Sequence, residues 1–335
     1  MNKLNTTIYK KVLPKRMIKI KKPKVKLVKK KKKKVDYVAA LEQLRTLAKH
    51  FKFDVNEGRR LLFKKFATLT IGDVGENHVD MQKMGKMAAR GYCMEMMSYL
   101  KANLEELGAE CEEINLNDCL KGTEYEGKGD QASVLVVRGG VNAILKDNEG
   151  GDKLEREIDR DEWMDSKIWS RKHGGVVNKN ARWNNCFGPK SQVADIANKK
   201  GTIVGYDKVP LLKRIIDWLY EMECGFNVWK DGKVEGACRM VAEGNYYYDE
   251  TCGIGAHGDS ERRRAIGIRL GLCAPLGYRW RIRGKGVGKK MVLNFKHGDM
   301  YIMSEKAVGT DWKRRASLQL VHAAGAEQYM KQLDK

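Results

Sequence analysis

The C-terminal third of the chain alternates short apolar runs with glycine-rich turns. From residue 225 onward, eight runs have the length and composition of β-strands. The predicted strands are 226–229, 237–241, 254–257, 266–270, 278–282, 291–295, 300–303 and 318–322. Residues 284–290 resemble a phosphate-binding loop only superficially, and their spacing predicts a hairpin loop instead. Eight short strands at this spacing favour a double-stranded β-helix, or jelly roll.

The preceding part of the chain shows mostly helical periodicity. Apolar spacing predicts helices over 36–51, 56–66, 80–107 (broken near Gly91) and 211–222, and strands over 109–115, 132–137 and 203–209. Gly108 is expected to end the third helix. The region before residue 150 is therefore predicted to be helical with a small α/β unit that supports the barrel. The fold class expected for the whole chain is α+β.

The positive charge is concentrated at the N-terminus. Net charge is +22, and residues 1–35 hold sixteen Lys or Arg and no acid, so the rest of the chain carries about +6. A segment of this composition cannot build a core and is expected to be a disordered polybasic tail. Polycations bind polyanions, so nucleic acid is the expected partner of this tail and an acidic membrane surface the second candidate. The expected organisation is tail (1–35), helical and α/β region (36–150) and jelly-roll domain (151–335).

The remaining composition bears on location. No apolar run reaches the length of a membrane span, and the N-terminus lacks the apolar core of a signal peptide. The eight cysteines show no Cys-x-x-Cys spacing, which favours free thiols over zinc ribbons. We expect an intracellular, reducing compartment; nucleus, viral factory and virion stay open.

His257-Gly-Asp259 is the strongest chemical signal in the sequence. Side chains two residues apart lie on the same side of an extended strand, so the imidazole and the carboxylate can reach one metal ion. With one distant histidine they would form the two-His, one-carboxylate site of non-heme Fe(II) oxygenases. His322, which follows an apolar strand, is the preferred third ligand. His297 is the alternative, but it precedes a Gly-Asp turn, where a histidine more often bonds the backbone.

These residues carry a resemblance to a known family. The segment 245–325 resembles the AlkB-type 2-oxoglutarate/Fe(II) dioxygenases: Asn245-Tyr-Tyr247 is similar to their Asn-x-Tyr, and His257-Gly-Asp259 matches their His-x-Asp. Gly298-Asp299 and the strand after it resemble the turn and strand that precede the last metal ligand. Further upstream, Asn180-Ala-Arg-Trp-Asn184 and the segment 76–82 resemble AlkB-like proteins of large DNA viruses and algae. The resemblance extends over approximately residues 70–330.

The resemblance implies an Fe(II)-dependent enzyme with 2-oxoglutarate as co-substrate. His257, Asp259 and His322 would bind the metal, and Asn245 and Tyr247 would hold 2-oxoglutarate. The family's arginine beyond the distal histidine, which pairs with the outer carboxylate of 2-oxoglutarate, is absent here. A buried carboxylate needs a cation, and Arg269, on the next predicted strand, is the candidate; Lys331 is the weaker one.

The resemblance further implies hydroxylation or oxidative demethylation, most plausibly of a nucleic-acid base. Arg182, Trp183 and Asn184, with Tyr246 or Tyr248, are candidates to stack on an extruded base and hydrogen-bond to it. The alternative, in which these residues do not bind substrate, places Trp183 in the core and Arg182 at the surface. A protein side chain is the rival substrate. The alternative to an enzymatic function is a non-catalytic nucleic-acid-binding or virion structural protein with the same fold.

Overall fold

The computed structural model describes residues 45–46, 65–231 and 237–335. Nearly all of the predicted helices at 36–51 and 56–66 lies outside these residues, as does the basic tail; residues 45–46 are helical, as predicted. The described helices are α1 (Met94–Glu106), α2 (Gly140–Leu145), α3 (Gly150–Ile158), α4 (Pro210–Asp231), α5 (Glu305–Val308) and α6 (Glu327–Met330). Among the described residues, no helix combines the length and apolar composition needed to cross a membrane.

Strands dominate the described part, and the protein has a mixed α+β fold. The strands are β1 (Phe66–Gly72), β2 (Val74–Glu76), β3 (Lys83–Gly85), β4 (Glu110–Asn115), β5 (Ser133–Arg138), β6 (Lys167–Ser170), β7 (Gly175–Asn178), β8 (Trp183–Gly188), β9 (Ile203–Gly205), β10 (Val241–Tyr247), β11 (Gly253–His257), β12 (Ala265–Gly271), β13 (Ala274–Ile282), β14 (Lys285–Phe295), β15 (Met300–Met303) and β16 (Gln319–Gly325).

Two sheets organise these strands. The large sheet has eight strands in the order β4-β5-β15-β12-β1-β10-β8-β9 and is antiparallel except for the β8–β9 pair. The smaller sheet has the order β11-β16-β13-β14 and is antiparallel throughout. A shared apolar core holds the two sheets together: Val136 and Met303 of the large sheet pack with Leu276, Trp280 and Leu320 of the small one.

The outer face of the large sheet is covered by helices. Leu69 on β1 and Ile268 on β12 belong to one buried cluster with Leu100 of α1 and Ile215 of α4. Leu212, Ile215, Ile216 and Leu219 recur at the spacing of one helical face, so the amphipathic pattern predicted for α4 does bury that face.

Most strands predicted in the C-terminal third are present. The structure confirms strands at 254–257, 266–270, 278–282, 291–295, 300–303 and 318–322 within a few residues. β13 and β14 form a hairpin, but the loop predicted over 284–290 was too long, because residues 285–290 belong to β14. The turn of that hairpin is Arg283-Gly284, and both residues have positive φ, as a tight two-residue hairpin turn requires. The strands at 109–115 and 132–137 are also present, and α1 ends just before Gly108, whose φ is +89°.

Three predictions of elements were wrong. Residues 226–229 are not a strand, because α4 continues to Asp231 and its Phe226 packs edge-on against Tyr99 of α1 at 5.6 Å. The strand predicted at 237–241 begins only at Val241. Helix does not start at residue 80: residues 83–85 pair with β2, and helix begins at Met94.

The described residues 65–150 do not form a separate supporting unit. β1 lies between β10 and β12, and β5 pairs with β15, so the large sheet crosses the boundary predicted at residue 150. Both β1 and β8 were missing from the sequence-based prediction. β1 in particular sits at the centre of the sheet and contributes side chains to the site described next.

Candidate metal site and its cleft

His257, Asp259 and His322 converge at one point between the two sheets. His257 is the last residue of β11 and pairs directly with His322 of β16, while Asp259 lies two residues beyond. One potential ligand atom from each residue lies within 4.8 Å of the other two. Asp259 Oδ1 is 3.4 Å from His257 Nε2 and 3.8 Å from His322 Nε2. Two ligands bound at right angles to one ion about 2.1 Å away are about 3 Å apart, so this spacing fits a shared ion after a small contraction.

The imidazole of His257 is oriented for this role. Its Nδ1 lies 2.7 Å from the carbonyl oxygen of Gly255, which selects the tautomer with a proton on Nδ1 and a lone pair on Nε2. Nε2 is also the atom that faces Asp259. The ring of His257 stands edge-on to that of His322, with the centroids 4.5 Å apart.

The electrostatics favour the protonation states that metal ligands need. Burial opposes ionisation of Asp259, but Arg262, whose Nε is 3.3 Å from Oδ2, and the neighbouring histidines hold its pKa well below the usual range. Burial, followed by the proximity of His257, lowers the pKa of His322 to about 4. At neutral pH the site therefore has an anionic carboxylate and a neutral imidazole at His322.

Arg262 links the carboxylate to a wider network that the sequence did not reveal. It is buried, and its Nη2 contacts Glu243 Oε2 at 2.8 Å and Glu261 Oε1 at 3.1 Å. Because Arg262 holds Oδ2 of Asp259, Oδ1 is left to face the histidines. In the sequence Arg262 is one of three successive arginines, a pattern that indicates surface charge, so no local signal distinguished it.

A row of polar side chains crosses the large sheet beneath the cluster. Arg269 pairs in register with Thr68, Thr68 with Asn245, and Asn245 with Asn184. Residues in register on adjacent strands point to the same face, so these four side chains line one side of the sheet. All four are buried. The row depends on β1, whose absence from the prediction concealed Thr68.

Arg269 is a buried cation with incomplete hydrogen bonding. It is 0% exposed, and its Nη1 donates to Thr68 Oγ1 at 2.5 Å. Its Nε and Nη2 have no hydrogen-bond partner among the described residues. Thr68 lines the cleft that contains the metal cluster. A buried guanidinium in this state is costly unless an anion completes it, so Arg269 has the properties of an anion-binding residue.

Asn245 and Tyr247 also line this cleft. The Asn245 Nδ2 donates to Glu243 Oε1 at 3.1 Å, and its Oδ1 accepts from Arg182 Nε. The Tyr247 ring stacks on Phe66 with 4.2 Å between centroids. The structure therefore brings Asn245, Tyr247 and the metal cluster to the same cavity.

The three predicted substrate residues separate. Arg182 lines the cleft, whereas Asn184 is buried and accepts a hydrogen bond from Lys179. Trp183 lies on the opposite face of the sheet, in a cavity of about 40 Å³, and its ring centroid is 4.7 Å from that of Tyr248. Because strand side chains alternate between faces, Trp183 cannot join Arg182 in the cleft, and stacking of Trp183 on a substrate there was a wrong prediction. Tyr246 also packs on that far side, in the core.

The two alternative residues do not enter the cleft. His297 Nδ1 accepts a hydrogen bond from the backbone of Gly271 at 2.9 Å, which confirms the backbone role expected at this turn. His297 lies near Asp152 and Glu155 instead of the cluster around Asp259. Lys331 is exposed and pairs with Glu327 at 2.8 Å.

The cleft has room for a co-substrate and part of a larger molecule. Its volume is about 740 Å³, and its lining includes the metal cluster, Arg182, Glu243 and, on the outer side, Glu76 and Lys83. Burial, opposed by Lys83, raises the pKa of Glu76 to about 7. The cleft is thus polar and partly charged, with both signs of charge present.

Comparison with known proteins identifies a viral relative. No protein-family model matches the chain. The chain is 39% identical over 269 residues to "Uncharacterized protein R156" of Acanthamoeba polyphaga mimivirus, and the match covers 80% of this chain and 98% of that protein. At this identity and coverage, the chain belongs to the same family as the mimivirus protein.

Proposed function

We propose that the protein is an Fe(II)- and 2-oxoglutarate-dependent dioxygenase. The observation that carries the proposal is that the His257, Asp259 and His322 cluster shares its cleft with Thr68, which accepts a hydrogen bond from the buried and incompletely hydrogen-bonded Arg269. Two histidines and one carboxylate also occur at zinc sites of hydrolases. Arg269 favours the oxygenase, because a dicarboxylate co-substrate needs a metal at one end and a cation at the other.

The residues present fit this co-substrate and metal. His257, Asp259 and His322 would hold Fe(II), and Arg269 with Thr68 would bind the far carboxylate of 2-oxoglutarate. Asn245 and Tyr247 would hydrogen-bond to it from the next strand. With O2 as the oxidant, the bound metal and co-substrate would supply oxidative decarboxylation to succinate and CO2, coupled to hydroxylation of a substrate C–H bond; one oxygen atom of O2 would enter succinate and the other the substrate. On an N-methyl group, the hydroxylated product would release formaldehyde.

The protein's own contribution would be orientation and charge. Arg262 fixes the rotamer of Asp259, and the backbone of Gly255 fixes the tautomer of His257. The two sheets that enclose the cleft would exclude bulk water from the reacting groups. We also propose that these two facing sheets form the jelly roll expected from the strand pattern, because metal ligands near the mouth between two sheets are typical of that architecture.

A nucleic-acid base is the substrate that we propose for this enzyme. Arg182 lies in the cleft beside Asn245, where it could hydrogen-bond to a base that has left its stack. The polybasic segment 1–35 would add affinity for nucleic acid of any sequence. A Lys or Arg side chain of a protein is the rival substrate, and a non-catalytic nucleic-acid-binding or virion protein is the rival function.

The decisive experiment combines binding and turnover. Under anaerobic conditions, the wild-type protein should bind one Fe(II), and calorimetry should detect 2-oxoglutarate binding that depends on this Fe(II). In air it should release succinate, with a panel of methylated oligonucleotides and peptides identifying the substrate. Asp259→Ala should lose both metal binding and succinate release, whereas His297→Ala should keep them because His297 lies outside the cluster. A fully active Asp259→Ala enzyme would refute the site.

A further inference from the structure

A basic surface adjoins the mouth of the cleft. It consists of Arg283 and Lys285 at the tip of the β13–β14 hairpin and Lys313, Arg314 and Arg315 in the loop between α5 and β16. All five side chains belong to exposed residues. We call these five residues the basic ridge.

The two parts of the ridge are in contact. The backbone N–H of Arg283 donates to the carbonyl oxygen of Arg315 at 2.8 Å, so the hairpin tip and the loop form one continuous surface. Arg283 has a φ of +51°, within the tight turn that presents its side chain at the hairpin tip. The ridge therefore has a defined arrangement on two linked elements.

The loop of the ridge packs directly on the segment that carries the metal ligands. The backbone N–H of Asp259 donates to the carbonyl oxygen of Val308 at 2.9 Å, and Lys313 Nζ contacts Ser260 Oγ at 3.1 Å. A side chain at Gly258 would collide with the backbone of Gly309 and with Trp312. Trp312 and Lys313 both line the cleft. The ridge thus begins where the cleft opens.

No acid of the described residues neutralises the charges of the ridge. None of its five cations forms an ion pair with an acidic side chain in the described ranges 65–231 and 237–335. The acid of the same loop, Asp311, is held instead by Lys306 at 2.8 Å. A cluster of exposed, unneutralised cations attracts a polyanion.

We propose that the basic ridge binds the phosphate backbone of a single-stranded nucleic acid and directs one of its bases into the cleft. A basic surface beside an aromatic side chain, here Trp312, is typical of single-strand binding, because phosphates contact the cations while a base stacks on the ring. Arginines, three of the five cations, match phosphate geometry with two parallel hydrogen bonds. The proposal rests on the proposed function only for the fate of the base; binding itself needs neither metal nor co-substrate.

The test measures binding of a fluorescent single-stranded 15-mer to the full-length chain over a range of salt concentrations. The variant Arg283→Gln/Arg314→Gln/Arg315→Gln should bind more weakly and show a salt slope lower by about 2, because each lost phosphate contact on a single strand removes about 0.7 from that slope. The matched control, Arg156→Gln/Lys190→Gln/Lys208→Gln, removes three exposed cations outside the ridge and the cleft. It should keep the wild-type slope. Because every protein in this comparison retains residues 1–35, the tail's contribution is common to all of them.

A second measurement needs no variant. Hydrogen exchange of the wild-type chain with the 15-mer bound should show slower exchange in residues 283–288 and 310–317. Equal losses of affinity in the two triple variants, or unchanged exchange in both segments, would overturn the proposal. So would a ridge variant that loses affinity for polyglutamate but not for the oligonucleotide, because the partner would then be an acidic peptide. Succinate release without added nucleic acid is measured in parallel, so a failure of the ridge and a failure of the proposed chemistry give different results.

Discussion

At the central strands β1 and β12, the two faces of the large sheet are built from opposite kinds of side chain. On β1, Leu69 and Ile71 point to the helices and belong to the main apolar core. Their neighbours Thr68 and Thr70 point to the other side and line the cleft. Strand β12 repeats this division, with Ile268 in the core and Arg269 in the polar row.

Within one strand, the side chains of one face stabilise the fold, whereas those of the other face belong to the candidate site. Burial of apolar side chains on one face stabilises the fold, whereas burial of Arg269, Arg262 and Glu243 on the other costs free energy unless each charge is matched. Arg262 and Glu243 match each other at 2.8 Å. Among the described side chains, Arg269 has a hydrogen bond only to Thr68 and a cation–π contact with the Phe66 ring at 5.3 Å, and it forms no ion pair. Under the proposed function, an anionic ligand in the cleft completes the interactions of Arg269.

The largest effect is expected from removal of the unmatched cation. Arg269→Ala should raise the KM for 2-oxoglutarate by about 150- to 5,000-fold, because the loss of one partner of a buried charge pair costs roughly 3–5 kcal/mol. The measurement is succinate release as a function of 2-oxoglutarate concentration. Arg269→Lys should recover part of the loss, since it restores the charge but not the planar fork. An unchanged KM in Arg269→Ala would mean that the far carboxylate binds elsewhere.

The same two faces explain which parts of the fold the sequence could predict. Strands β11 to β16 were found because glycines and apolar runs mark their limits. β1 was not predicted, because its cleft face carries threonines and its N-terminal residue, Phe66, continues a pattern that resembles a helix. β8 was not predicted, because Asn184 and Asn185 are polar residues that usually indicate a turn, although here they are buried in a strand.

The candidate site was predictable to a similar extent. His257 and Asp259 are two residues apart, so their proximity follows from strand geometry alone. The proximity of His322 depends on pairing between β11 and β16, and the bond between Arg269 and Thr68 spans 201 residues of sequence. Arg262 could not be identified at all, because its role depends on Glu243 of another strand. Trp183 was wrongly assigned to the cleft because it lies in the same sequence motif as its neighbours. Side chains alternate along a strand, so the side chain of Trp183 points to the core face.

A pair of adjacent substitutions on β1 tests whether the two faces are independent. Leu69→Ala should lower the free energy of unfolding by about 2–5 kcal/mol, because it leaves a cavity in the apolar core. It should leave 2-oxoglutarate affinity nearly unchanged. Urea denaturation and calorimetry measure the two quantities.

Thr68→Val is the matched control for Leu69→Ala. It keeps the volume but removes the oxygen that accepts from Arg269. We expect the KM for 2-oxoglutarate to rise by about 10- to 150-fold, since a hydrogen bond to a charged group is worth about 1.5–3 kcal/mol. The free energy of unfolding should change less than for Leu69→Ala. If both variants lost stability and co-substrate affinity in equal proportion, the two faces would not be separable.

The smallest predicted effect is the free-energy cost of ionising the buried carboxyl group of Glu76 in the cleft. Burial raises the pKa of Glu76 to about 7, so the folded protein holds a proton there that the unfolded chain releases near pH 4.5. The resulting stability is fully present below pH 4.5 and is lost as the pH rises through about 7. Glu76→Gln imitates the protonated form and should remove this pH dependence.

The variant should therefore be more stable than the wild type at pH 8, by on the order of 1 kcal/mol after allowance for solvent screening. The two proteins should be nearly equal near pH 4.5. Urea denaturation between pH 4.5 and 8 measures the difference.

Lys83, which lowers the pKa of Glu76, provides a second test of the same charge. Removing its charge with Lys83→Gln should raise the pKa of Glu76 and steepen the loss of stability with pH in the protein that retains Glu76. Parallel stability profiles for the wild type and Glu76→Gln would show that this acid is well solvated, and that the cost of buried charge is confined to the deeper row around Arg269.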